Sequence, residues 1–150
     1  MSWFNGYGLA IMALIMIPNV IFSLRHGEEF TNRFDCKCLE IAEQIGRYGS
    51  FVLMIFNIPH TYFGWVCAFA EPIYLIVNGV LIAVYEAVWI AMRDKNNLAR
   101  ALLLSVIPSV IFIFSGIMIT SVPLIAFAVL FAACHITISV KNATARGDKT

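Results

Sequence analysis

The sequence predicts an all-α fold, a polytopic membrane bundle of five transmembrane helices with its N-terminus outside and its C-terminus in the cytoplasm. Three observations predict it. Of the 150 residues, 61% are hydrophobic and 13% charged. The apolar residues gather in long runs, and all 10 Lys and Arg residues fall where an odd number of crossings puts them on one side. Soluble domains average about 45–50% apolar and about 25% charged, and a mean hydropathy of +0.85 exceeds what one water-soluble core of this length hides. Lipid is the solvent that fits.

The runs cover residues 4–24, 51–70, 72–92, 101–119 and 122–140, each close to the ~20 residues that carry a helix across ~30 Å of hydrocarbon. None alternates as a barrel strand would. They form a single integral membrane domain over residues 1–150. The first run has no Lys or Arg before it and Arg25 after it. A cleaved signal carries its positive flank in front, so this reads as a retained helix entering with its N-terminus outward.

Residues 25–48 form a cytoplasmic segment in which Phe30, Phe34, Cys38, Ile41, Ile45 and Tyr48 recur at steps of three and four. That is the period of a short amphipathic helix, expected to lay its apolar stripe against the underside of the bundle or to extend the second span. The second and third runs meet at Glu71-Pro72 and the fourth and fifth at Thr120-Ser121, so each pair should form an antiparallel hairpin. Pro72 and Pro123 open their helices, where a missing N–H costs least. Pro18, Pro59 and Pro108 should kink theirs.

Orientation follows from the basic residues. Arg25, Arg33, Lys37 and Arg47, then Arg93, Lys95 and Arg100, then Lys141, Arg146 and Lys149 all fall on one side of five spans. The positive-inside rule assigns that side to the cytoplasm. The expected location is the cytoplasmic (plasma) membrane, of bacterial inner-membrane type, with a cytoplasmic tail at residues 141–150.

Glu86 is the costliest residue to insert, since a charge near a helix centre carries roughly 2.5–3.5 kcal/mol and such residues mark functional paths. Counting depth along each helix places Asn19, Glu86 and His135 in one layer, with Asn57 reaching a similar level from the opposite direction. A hydrogen-bonded Asn–Glu–His cluster is the first expected site. His60, beside the Pro59 kink, and Asn78 form a second group nearer the midplane, on helix seams that include Ser105, Ser109, Tyr74, Tyr85 and Ala128. Such seams of small and polar residues also serve simply to join helices.

The four cysteines give a lone C-x-C at Cys36 and Cys38, short of a zinc site, and no metal or cofactor is expected. No phosphate loop, G-x-S-x-G or H-E-x-x-H motif occurs, and a formal net charge of +1 gives no footing for nucleic acid. The expected partners are membrane lipid and a second copy or a partner membrane subunit. Three functions follow in order: a transporter or solute-binding membrane protein centred on Glu86, a non-catalytic accessory subunit, and an intramembrane enzyme acting on lipid through His and Glu.

Overall fold

In the computed structural model, residues 3–26, 36–93 and 97–147 are described. Phe30, Phe34, Arg33, Lys95 and the last three residues lie outside them. The described residues form five helices: α1 (Gly6–His26), α2 (Lys37–Ile55), α3 (Ala70–Ala91), α4 (Leu98–Met118) and α5 (Val122–Gly147). Three of them are long and apolar enough to cross a membrane, α3, α4 and α5 over Val122–Thr144, and α1 carries a shorter apolar stretch, Gly6–Phe22.

Backbone contacts fix the directions. Asn5 N–H donates to the Ile55 carbonyl at 2.7 Å, and Asn57 N–H to that of Trp3 at 2.8 Å. The start of α1 therefore lies beside the end of α2. Tyr7 reaches Glu71 at the start of α3, and the loop 56–69 is stitched to the α4–α5 turn by Val66 N–H to Met118 C=O (2.9 Å) and Val122 N–H to Thr61 C=O (3.2 Å). These contacts define a loop-capped end. At the opposite, basic end stand Lys37, Arg93, Arg100 and Lys141.

Around the bundle, α1 packs between α2 and α3, α4 between α3 and α5, and α2 against α5, with a smaller contact from α2 across to α4. Met54, Tyr74, Tyr85, Ile111, Phe112 and Leu124 are buried at its centre. Outward-facing positions are apolar on every helix, among them Leu14, Ile76, Val80, Val110 and Val129. A surface of that composition is what lipid solvates and water does not.

The second helix differs from expectation. A helix over residues 51–70 does not form: α2 ends at Ile55, Phe56 caps it in extended geometry (φ −114°, ψ 120°), and residues 56–69 cross the bundle end as a loop. Pro59 gives the reason. It has no N–H for a helical bond, and its ring would clash with the carbonyl four residues back. The chain then turns through His60 (φ 66°) and Gly64 (φ 91°), left-handed conformations that glycine adopts freely and other residues rarely do. Thr120 Oγ1 donates to the Gly64 carbonyl at 2.8 Å, and Phe63 N–H donates to Thr120 Oγ1 at 3.2 Å. The loop's polar backbone is thus met by the neighbouring turn.

Residues 37–48, expected either to lie under the bundle or to extend the second span, form the first part of α2, continuous to Ile55. Their polarity is reversed. Ile41, Ile45, Tyr48 and Val52 are exposed, whereas Glu43 is only 3% exposed. The part of the sequence stripe that lies in α2, Cys38, Ile41, Ile45 and Tyr48, faces outward. Gly46 makes the inward face fit, since a Cβ there would stand 2.6 Å from the Phe131 backbone nitrogen of α5.

Prolines elsewhere sit as expected. Pro72 and Pro123 are in the first turns of α3 and α5, and Pro18 and Pro108 lie inside α1 and α4. Around Pro108, Ser105 Oγ donates to the Ala101 carbonyl (2.8 Å) and Ser109 Oγ to that of Ser105 (2.7 Å). Both are back-bonds to the carbonyl four residues earlier on the same helix, which satisfy the buried hydroxyls; neither reaches the Leu104 carbonyl that Pro108 leaves without a helical donor.

Candidate functional site

The expected Asn19–Glu86–His135 cluster does not assemble. Glu86 is on α3 and His135 on α5, and α4 packs between those helices. Equal depth along the chain did not bring equal facing. The polar side chains divide instead into separate groups, each set by which helices meet.

The group with the most charge lies between α2 and α5. Glu43 Oε1 accepts Arg47 Nε at 3.0 Å and also the Arg47 Nη2 donor, a pairing that the i,i+4 spacing on one helix face allows. From α5, His135 Nδ1 stands 3.0 Å from the same oxygen. Because an ionised carboxylate only accepts, that contact fixes the imidazole proton on Nδ1. The ring is also stacked on Phe131, with centroids 4.6 Å apart and planes 18° from parallel. Arg47 and His135 keep 34% and 24% of their side-chain surface, Glu43 4%. An inner carboxylate is therefore enclosed by two donors that reach the bundle surface.

Counted along α2 from Ile55, Glu43 lies ~18 Å from the loop-capped end. Counted along α5 from Val122, His135 lies ~20 Å from it. The agreement follows from the close α2–α5 contact at Gly46. The triad thus joins an intrahelical Glu–Arg ion pair on α2 to an imidazole from α5.

A second group joins α1 and α3: Asn19 Nδ2 donates to Tyr85 OH at 3.0 Å and to the Ile15 carbonyl at 3.0 Å. A third joins α3 and α4 in the core, where Asn78 Nδ2 donates to Ser115 Oγ at 3.2 Å. Asn78 thus bridges helices as its seam suggests, and Asn19, expected beside Glu86, bridges α1 to α3 through Tyr85. Glu86, partly buried on α3, makes no hydrogen bond or ion pair to Asn19 or His135 among the described residues. It lies five residues before the end of α3, within reach of the basic end. There Arg100 sits over the rings of Phe22 (5.3 Å) and Trp89 (5.2 Å).

His60 is not at mid-bundle. It is exposed in the 56–69 loop, beside an open hollow of 480 Å³ lined also by Pro59, Tyr62 and Phe63. Asn57 is buried at the loop-capped end, 4% exposed, on a smaller cavity of 220 Å³ lined also by Asn5, Tyr7, Trp65 and Glu71. Among the described residues, no group of three or more His, Cys, Asp or Glu is placed to hold a metal ion.

Glu43 and Arg47 were legible only as members of a polar face, because that face was assigned to water. The stripe Ile41–Ile45–Tyr48–Val52, which faces outward opposite Glu43, was the available signal. Tyr85 had a seam position, whereas Ser115 had no distinguishing mark in the sequence. Nothing matches this chain among protein-family profiles, curated protein sequences or solved structures, and its function has to be argued from its own residues.

Proposed function

We propose that this chain is a small integral membrane protein that crosses the bilayer five times and binds or carries a solute, with proton exchange at the Glu43–Arg47–His135 triad. In this topology the loop-capped end faces outside and the basic end the cytoplasm, as the positive-inside rule requires. α2 is then a membrane helix despite its charges. Its support is the reversed amphipathicity, with Ile41, Ile45, Tyr48 and Val52 outward and Glu43 inward.

One observation carries the functional reading: a carboxylate 3% exposed between helices whose outer faces are apolar. Burying an ion pair is at best a weak source of stability, and apolar residues of similar volume pack as well. Ionisable residues inside membrane bundles mark ion and proton paths by default. The expected role of Glu86 passes to Glu43, which has a histidine against its carboxylate.

The test is a reconstitution. Full-length protein is placed in liposomes holding a pH-sensitive dye, and amines, amino acids and sugars are added outside in turn. A solute-dependent internal pH change in wild type, lost in His135→Gln, supports the reading. Proton movement equal to that of protein-free vesicles for every solute class refutes it.

The accessory-subunit reading has a specific observation in its favour, the filled centre at Met54, Ile111 and Phe112. A carrier must part those side chains during its cycle, and an accessory subunit has no need to. That reading expects no solute response and a stable complex with a second membrane protein.

A further inference from the structure

The cavity at the loop-capped end has a composition of its own. Its volume of 220 Å³ leaves room for a small polar group. Asn5 closes one side, Trp65 and Asn57 come from the loop, and Tyr7 and Glu71 stand at the starts of α1 and α3. Tyr7 OH donates to Glu71 Oε1 at 3.0 Å, which occupies one of the four or so acceptor positions of a carboxylate.

Charge balance at this end is unusual. Residues 1–24, 48–92 and 101–140 contain no Lys or Arg, and these stretches supply every segment that meets at the loop-capped end. Among the described residues, no Lys or Arg side chain stands at this end to pair with Glu71. Asn5 adds a second demand: it is 5% exposed, its Oδ1 accepts Gly8 N–H at 3.1 Å, and among the described residues its Nδ2 has no hydrogen-bond partner. An unpaired buried amide donor costs roughly 1–3 kcal/mol. An indole and a phenol beside the carboxylate supply faces that attract cations. Trp65 is held edge-on against Tyr74, centroids 5.4 Å apart, so its ring is fixed before any ligand arrives.

We propose that this cavity binds a small primary ammonium group carrying an oxygen a few bonds away. The ammonium is neutralised by Glu71 against the Trp65 and Tyr7 rings, and the oxygen accepts from Asn5 Nδ2. A free amino alcohol has this chemistry, and so does the ethanolamine headgroup of a phospholipid. Trp3, Phe4, Phe56, Phe63 and Phe69 are exposed around the same end, a belt of aromatic residues suited to the headgroup layer. The site stands on its own evidence. Glu43 is ~18 Å away along α2, and equilibrium binding here requires no proton exchange there.

Calorimetry on detergent-purified full-length protein with ethanolamine hydrochloride tests the free ligand. Native mass spectrometry after exposure to mixed phosphatidylethanolamine and phosphatidylglycerol tests the lipid. Saturable ethanolamine binding weakened at least tenfold in Glu71→Gln identifies a free-amine site. Retention of phosphatidylethanolamine over phosphatidylglycerol, lost in Glu71→Gln while ethanolamine alone fails to bind, identifies a headgroup site. Neither signal in wild type, or equal signals in Glu71→Gln, overturns the proposal. Where Glu71→Gln does not elute as a folded monodisperse species, Trp65→Leu replaces it under the same criteria.

Discussion

His135 and Glu43 meet at 3.0 Å across the α2–α5 interface, the imidazole Nδ1 facing a carboxylate oxygen that Arg47 also holds. Removing the carboxylate leaves a guanidinium with no counter-charge inside the bundle. Breaking a buried pair from one side costs about 3–5 kcal/mol, and the partial exposure of Arg47 places Glu43→Ala at the lower end, ~3 kcal/mol. Glu43→Ala/Arg47→Met should recover most of that loss, because neither charge then remains. Thermal unfolding in detergent measures both. A double variant no more stable than the single one would show that the site owes its stability to packing and not to charge.

Glycine placement gives a sharper contrast. A Cβ at Gly46 meets the Phe131 backbone at 2.6 Å, whereas one at Gly79 meets nothing within 4 Å. Both lie in helices, where alanine is intrinsically better by roughly 0.8–1 kcal/mol. Gly79→Ala is expected to be neutral or stabilising by up to that amount. Gly46→Ala must separate α2 from α5, costing ~1–3 kcal/mol as overpacking does, and it lengthens the Glu43–His135 contact. Equal melting temperatures for the two variants would contradict the α2–α5 packing.

The same interface explains which parts of the molecule the sequence disclosed. Apolar runs 72–92, 101–119 and 122–140 correspond closely to α3, α4 and α5, because a run of that length and composition has one low-energy form in lipid. Tyr74, Asn78, Ser105, Ser109 and Ala128 are all buried, as their helix seams implied. The run at 51–70 misled, because hydropathy does not register that Pro59 denies a helix its bond or that the α4–α5 turn can satisfy a loop. Depth along each helix assigned Asn19, Glu86 and His135 to one layer, but Asn19 meets Tyr85 and His135 meets Glu43 instead. Which helices are neighbours decides whether a layer becomes a site, and one chain's spacing does not encode neighbours.

Glu86 supplies a control for the triad. It has no hydrogen bond or ion pair to Asn19 or His135 and lies five residues from the end of α3, where a carboxylate can extend toward the headgroups. Glu86→Gln is therefore expected to change unfolding free energy by less than about 0.5 kcal/mol and to leave solute-dependent proton exchange intact. His135→Gln should abolish that exchange. If the effects are reversed, the titrating site is on α3 and the proposed role of α2 and α5 is wrong.

The strongest constraint on the whole arrangement is the environment of α2. Ile45 and Val52 are 52% and 53% exposed, two turns apart on the stripe opposite Glu43. If α2 lies in the bilayer, that stripe touches acyl chains. Spin labels at Ile45→Cys and Val52→Cys, in a background with Cys36, Cys38, Cys67 and Cys134 replaced by serine, should relax faster with oxygen than with a water-soluble nickel complex. A label at Lys141→Cys, at the basic end of α5, should show the opposite preference. Nickel-dominated relaxation at Ile45 would put α2 in water. A stripe of Ile, Tyr and Val would then need a protein partner to cover it, and Glu43 would sit in an aqueous interface where a buried proton site has no purpose.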